Sequence, residues 1–320
     1  MNLQTEYLGL PLRNPLVASA SPLSRKLDNV RRMEDAGIAA VVCYSLFEEE
    51  IHRGELSLDH YQQPGTGDSA RGYDMSPKGY LAHIEQLKAA VDIPIIGSLN
   101  GTTPGSWTEY ARQIAQAGAD ALELNIYYVA TDPDEEAGDV EDRYLDILTE
   151  VKSAIDIPIA FKLSPYFSSM ANMARKLDVA GADGLVLFSR FHQPDIDLER
   201  LTVTPNTLPS TAFASRVPLR WIAILYGKVE ANLAHTGGIY THEDAIKSLL
   251  AGAHVTMTSS ALLEHGIDHA RSIISRMGEW LEQHKYEDVA QLRGTMSQIH
   301  CQDPAVFERA NYIKALETYM

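Results

Sequence analysis

The stretch His235-Thr236-Gly237-Gly238-Ile239, taken together with Thr258-Ser259-Ser260 further on, decides how this chain is read. Each closes a short apolar run, Ala231-Asn232-Leu233-Ala234 before the first and Ala253-His254-Val255-Thr256-Met257 before the second. Two adjacent glycines at a strand end let the backbone approach a ligand closely, because neither carries a Cβ. Paired hydroxyls at the next strand end add donors for an anion. Taken singly, the two stretches are also explained by a Gly-Gly turn and a serine helix cap. Taken as successive strand ends, they match the place where a (β/α)8 barrel holds a phosphate, in the loops after strands seven and eight.

Working outward, six more apolar runs precede these two. The eight expected strands are residues 15–19, 40–45, 95–99, 121–126, 159–163, 184–188, 233–236 and 255–258. All are dense in Val, Ile, Leu and Ala, as parallel strands buried on both faces require. A weak repeat supports them. Ala36-Gly37-Ile38, Ala117-Gly118-Ala119, Ala180-Gly181-Ala182 and Ala251-Gly252-Ala253 each stand before a strand, where glycine ends the preceding helix in a left-handed cap. Asp92-Ile93-Pro94 and Asp156-Ile157-Pro158 open two others, proline stopping the helix. The expectation is an α/β chain forming one (β/α)8 barrel domain over residues 1–320. An open doubly wound sheet is the alternative, and it would want a GxGxxG after the first strand, which is absent.

Three segments depart from the regular unit. Residues 48–79 are polar and rich in Gly and Pro, too long for a plain connection, and are expected to form a lid or hairpin over the barrel mouth. Residues 127–142 carry seven acidic side chains, from Asp132 to Asp142, and read as a solvated loop feeding a helix N-terminus. Residues 286–320 form a tail expected to be helical, covering a barrel end or making an oligomer contact.

A net charge of −16, with no cluster of Lys and Arg, excludes a surface for nucleic-acid phosphate. The first thirty residues hold no unbroken apolar run, so neither a signal peptide nor a membrane anchor is expected. The two cysteines, Cys43 and Cys301, have no metal-binding spacing and suit a reducing cytoplasm.

Catalytic groups of such barrels project from the C-terminal strand ends. Strand one ends in Ala18-Ser19-Ala20, small enough for a flat ring to lie against the backbone, and strand four ends in Glu123-Leu124-Asn125, whose amide both donates and accepts. Strand five carries Lys162 among apolar neighbours. A buried ammonium needs an anion, an electron-rich ring or a carbonyl. A structural ion pair with a nearby carboxylate is one alternative, and an aldolase-type nucleophile beside a sugar-phosphate site at Gly237-Gly238 is another. His235 is read either as facing the ligand or as a satisfied strand-end histidine. His265 and His269 stand four apart but lack a ligand set, so no metal site is expected. Cys43 reads as a small buried hydrophobe.

Several stretches, in order and at matching spacing, resemble the dihydroorotate dehydrogenase family over nearly the whole chain. They are Asn14-Pro15-Leu16-Val17-Ala18-Ser19, Glu123-Leu124-Asn125, Phe161-Lys162-Leu163-Ser164-Pro165-Tyr166-Phe167, Thr236-Gly237-Gly238-Ile239, Ser259-Ser260-Ala261-Leu262 and Tyr286-Glu287-Asp288-Val289-Ala290. The resemblance is greatest to the soluble first class, whose chain begins directly at the barrel. It implies an FMN-dependent oxidoreductase with a small-molecule substrate, dihydroorotate in the family, and a homodimer. Ala18 and Ser19 would line the flavin ring, Asn125 and Lys162 would bond its polar edge, and Gly237, Gly238, Ser259 and Ser260 would hold its phosphate. Tyr128 stands where that class carries its catalytic cysteine, which makes Tyr128 and Lys162 the catalytic candidates. Tyr44 stands where the class carries a lysine on strand two. A flavin-binding protein without catalysis is the alternative those two changes leave open.

Overall fold

The computed structural model describes residues 2–51, 76–103, 107–190, 193–204 and 210–308. Most of the expected lid, from residue 52 to residue 75, lies outside the described residues, as do residues 309–320 of the tail.

Eight parallel strands close into a barrel. They are β1 (Leu16–Ala18), β2 (Val41–Val42, resuming at Leu46–Phe47), β3 (Ile95–Gly101), β4 (Ala121–Ile126), β5 (Ile159–Leu163), β6 (Gly184–Leu187), β7 (Asn232–Thr236) and β8 (Val255–Thr258). Each pairs with its sequence neighbour, and β8 closes the ring on β1 through Thr256↔Leu16, Met257↔Val17 and Thr258↔Ala18. Around them run α1 (Leu27–Asp35), α2 (Pro77–Ala90), α3 (Trp107–Gln116), α4 (Ala137–Lys152), α5 (Met170–Val179), α6 (Arg216–Leu225), α7 (His242–Ala251), a short α8 (Ser260–His265) and α9 (His269–Gln283). Among the described residues no helix is long and apolar enough to cross a membrane.

The repeats in the sequence have a physical counterpart at the N-terminal end of the barrel. Gly37, Gly118, Gly181 and Gly252 all take positive φ, between 92° and 125°. After Lys88, the Asp92-Ile93-Pro94 turn feeds β3, and Asp120 both pairs with Lys88 at 2.6 Å and accepts the Ile95 N–H at 2.7 Å. The second copy repeats the arrangement: Lys152 pairs with Asp183, which accepts the Ile159 N–H at 2.8 Å.

Two expectations about the strands are corrected. The run 40–45 is not one continuous strand, because the Tyr44 N–H leaves the ladder to donate to Ser24 Oγ at 2.7 Å. The Tyr44 ring turns toward α2, edge-on to Tyr80 at 5.0 Å with Arg25 over its face at 5.1 Å. β3 runs two residues further than its apolar stretch, because Asn100 and Gly101 keep pairing with β4.

The interior of the barrel explains an element that the apolar pattern did not announce. Inward positions alternate along each strand, and the lower layer includes the small residues Ala121, Ala160 and Ala234 beside Val17, Val186 and Val255. That leaves space, and a hairpin ahead of β1, Thr5–Tyr7 paired antiparallel with Leu10–Leu12, fills it. Leu8 and Gly9 turn at φ 56° and 72°, the positive values a two-residue hairpin turn requires. Tyr7 is fully buried and Leu8 nearly so. Leu8 N–H donates to Asn232 Oδ1 at 2.7 Å, Thr5 Oγ1 donates to the His254 carbonyl at 3.1 Å, and Arg293 donates to Thr5 Oγ1 at 2.6 Å. Strands of three residues are too short to show a period. A second short hairpin, Asp195–Asp197 with Thr202–Thr204, follows β6.

The described part of the tail contains a helical turn, Val289–Leu292, capped by Asp288, and a 3-10 turn, Pro304–Phe307. It is tied to the ends of α6 and α7 by Gly294 N–H to Leu249 O, Met296 N–H to Leu250 O and Gln298 N–H to Ala223 O, each at 2.9 Å.

Two histidines near the β7–β8 seam make stability depend on acid. Burial pushes His235 and His254 down to about 4, against about 6.5 in an unfolded chain. Between those values the unfolded chain binds protons that the folded chain excludes. Stability is therefore full above about pH 6.5 and falls toward pH 4, by about 1.4 kcal/mol per pH unit for each histidine. Urea midpoints should drop clearly between about pH 7 and about pH 5; equal midpoints would contradict the assignment.

Candidate active site

Polar side chains occupy the inward positions of the upper layer. They are Ser98 and Asn100 on β3, Glu123 and Asn125 on β4, Lys162 and then Ser164 on β5, Ser19 after β1, and Thr236 on β7; all are buried. They follow Ile96, Ala121, Ala160 and Ala234 at spacing two, so the strand period that buries the apolar layer below also aims this layer into the mouth. In register, Asn100 lies opposite Asn125, and Asn125 opposite Lys162.

Lys162 Nζ reaches Glu123 Oε1 at 3.1 Å, with the two side chains 10% and 1% exposed. Glu123 Oε2 and Asn125 Oδ1 are buried and have no partner among the described residues. A buried acceptor left unmatched costs about 1–3 kcal/mol. An Asn oxygen at a barrel mouth beside an ammonium is therefore suited to a ligand that brings an N–H and an electron-rich edge.

On the opposite side of the ring, β7, β8 and β1 converge. Ser19 N–H donates to Thr258 O at 3.0 Å, Ser19 Oγ lies 3.3 Å from Thr236 Oγ1, and Thr258 Oγ1 donates to Ile239 O at 2.8 Å. Gly237 and Gly238 both have positive φ, 94° and 77°. A Cβ on Gly238 would meet Ser215 N at 2.5 Å and Ala212 O at 3.0 Å, whereas one on Gly237 would meet no atom of the described residues within 4 Å. The Gly-Gly backbone is thus packed on one side and open on the other. Ser259 precedes α8, and Ser260 Oγ lies 3.0 Å from Ser210 Oγ. Ala18, Ser19, Gly237, Gly238, Ser259 and Ser260 therefore meet in one sector, while Asn125 and Lys162 stand across the mouth.

His235 does not belong to this layer. Its strand neighbours Ala234 and Thr236 point inward, and its own ring points out to α7, where Nδ1 lies 2.7 Å from Ser248 Oγ. His269 Nε2 lies 2.8 Å from the Tyr240 carbonyl behind the same loop. Cys43 is buried, and burial pushes its thiol up to about 12, which leaves it inert.

Tyr128, in the loop leaving β4, is held by two groups from the acidic stretch and the helix after it. Its phenol donates to the Glu135 carboxylate at 2.7 and 2.8 Å, and Arg143 covers its ring at 4.1 Å while pairing with Glu135 at 2.9 Å. The hydrogen bond to Glu135, with burial second, raises the phenol above its ordinary range. Glu135, Arg143, Ser98 and Asn100 were not anticipated. For Ser98 and Asn100 the signal was available, a polar residue at every second place of an apolar strand. The tie between Tyr128 and Glu135 depends on a loop conformation that spacing does not encode.

Comparison with known proteins points to one family. A profile of the family described as dihydroorotate dehydrogenase matches residues 66–281. Among similar proteins are three named dihydroorotate dehydrogenase B (NAD(+)), catalytic subunit. The one from Thermoplasma acidophilum is 28% identical over 311 residues, covering 92% of this chain and 98% of that protein. Those from Methanothermobacter thermautotrophicus and Pyrococcus abyssi are 25% and 26% identical over 276 and 297 residues. They cover 82% and 91% of this chain, and 88% and 98% of their own lengths. With a closed eight-stranded barrel, a buried lysine and asparagine across the mouth from a glycine pair, and a profile match over most of its length, the chain is a divergent member of the dihydroorotate dehydrogenase family of oxidoreductases.

Proposed function

We propose that the chain is an FMN-dependent oxidoreductase that acts on a CH–CH bond next to a carbonyl in a small substrate, with dihydroorotate as the first substrate to test. The observation that carries this reading is the mouth itself. Among the described residues Asn125 Oδ1 is an orphaned buried acceptor, Lys162 supplies a fixed cation beside it, and the far side offers a backbone cradle that is open at Gly237. Those features fit a flavin mononucleotide. Asn125 and Lys162 would bond the polar edge of its ring, Ala18 and Ser19 would lie against the ring, and Gly237, Gly238, Ser259 and Ser260 would hold the phosphate. When bound, FMN supplies the two-electron acceptor that no side chain provides.

The protein's own part is charge and proton handling. Lys162 places positive charge where negative charge develops, in a pocket shielded from water. Its Nζ is engaged by Glu123 at 3.1 Å, which suits this role better than that of a Schiff-base nucleophile. Tyr128 is assigned the substrate proton. In the reducing direction the phenol donates it; in the oxidising direction the phenol oxygen takes the substrate proton as its own passes to Glu135. Phenylalanine in place of Tyr128 should lower turnover by about 10²–10³-fold while leaving flavin content unchanged. Unchanged turnover would remove Tyr128 from the reaction. The cytoplasm and a homodimer are the location and assembly that the family resemblance implies.

The decisive experiment is an absorption spectrum followed by anaerobic addition of dihydroorotate, with NAD(+), which the relatives' names carry, as the first electron acceptor to offer. A flavin spectrum bleached by dihydroorotate supports the whole reading. A flavin spectrum left unbleached retains the cofactor and rejects dihydroorotate. No flavin, even after FMN is added, overturns the proposal.

A further inference from the structure

We infer that Glu123 is a positioning residue that fixes Lys162 in place and weakens the positive charge Lys162 presents at the barrel mouth, thereby holding the reduction potential of the bound cofactor down. This deepens the FMN reading above and rests on it.

Lysine carries its charge on a flexible four-carbon stem, so a lysine meant to act at one point must be held. Glu123 is the acid that holds it: at 3.1 Å it makes the only ion pair to Lys162 among the described residues. Glu123 is itself immobilised. It sits in the middle of β4 with its side chain 1% exposed, and its register partner on β5 is Ala160, whose small side chain leaves room for the carboxylate. Lys162 lies one inward position nearer the mouth, opposite Asn125. The pair is therefore an oriented dipole, positive end toward the ligand and negative end toward the barrel floor.

The carboxylate keeps its charge largely to itself. Its second oxygen, Oε2, has no partner among the described residues, and no second cation pairs with it there. Below it the fully buried Tyr7 of the N-terminal hairpin has a hydroxyl that likewise finds no partner among the described residues. Burial, with the Glu123 charge second, holds that phenol well above its ordinary range, so it stays neutral. Seen from the mouth, the ammonium is offset by a full negative charge one strand away, in a region where water screens little.

The test is the midpoint potential of bound FMN, read by dye-coupled anaerobic reduction. Glu123→Gln keeps the shape and an oxygen that accepts from Nζ, but removes the charge. The reduced cofactor should then be favoured about tenfold at a fixed potential, a rise of about 30 mV for a two-electron couple. FMN bound with an unchanged potential overturns the inference, even if affinity drops, because a merely structural role moves affinity and leaves the potential alone. If the uncompensated lysine prevents Glu123→Gln from folding, the neutral pair Glu123→Gln/Lys162→Met is compared with Lys162→Met. The double variant should have the higher potential by a similar amount, and equal potentials overturn the proposal. Wild-type protein that binds no FMN overturns the cofactor reading itself, which separates the two failures.

Discussion

Lys162→Met is expected to slow reduction of the bound flavin by substrate about 10²–10³-fold, the range found when one preorganised electrostatic donor is removed from a reacting centre. The same substitution should lower folding stability by about 3–5 kcal/mol, because it leaves Glu123 as a buried charge without its partner. The two effects have one origin in the structure, an ammonium and a carboxylate 3.1 Å apart and almost wholly shielded from solvent. They are read separately, the first by anaerobic single-turnover mixing and the second by urea unfolding. A variant that turns over at the wild-type rate would mean the lysine is there only to satisfy Glu123. A variant of wild-type stability would mean the carboxylate is already satisfied some other way.

Gly238→Ala should lose FMN affinity by about a hundredfold and stability by about 2–4 kcal/mol. Part of the loss is the left-handed backbone at φ 77°, worth about 1–2 kcal/mol for a residue with a Cβ. The rest is overlap. The added Cβ would fall 2.5 Å from Ser215 N, and that is backbone, which cannot swing aside as a side-chain tip would. The neighbouring Gly237→Ala is the comparison for stability: its Cβ meets no described atom within 4 Å, so only the backbone strain acts on folding, while the same Cβ would enter the open side of the cradle and lower FMN affinity as well. Fluorescence titration with FMN and thermal unfolding of both variants would check the pair. Full affinity in Gly238→Ala would remove this loop from cofactor binding.

Much of the barrel was legible because buried parallel strands and left-handed glycine caps both leave simple marks. The runs at β4, β5 and β8 were read to the residue, and the glycines of the Ala-Gly repeat adopt the conformation their position implied. β2 was misread where a side chain, Ser24, competed for a ladder amide, an interaction twenty residues away that no local pattern records. The site was half legible. Residues fixed by a strand, such as Asn125 and Lys162, were placed at the barrel mouth because strand ends point there. Residues fixed by tertiary packing, such as Glu135 and Arg143 around Tyr128, were not, because their roles depend on where a loop folds back.

The N-terminal hairpin has a consequence for how the chain folds. Its seat is assembled from Asn232, His254 and Arg293, near the other end of the sequence. The hairpin is thus separated from its partners by more than two hundred residues, and contacts of such wide separation form slowly. Until those partners are in place, Tyr7 and Leu8 have no complete seat in the alanine-lined interior. The hairpin closes the barrel floor as a stopper closes a bottle, and the floor is complete only with it in place.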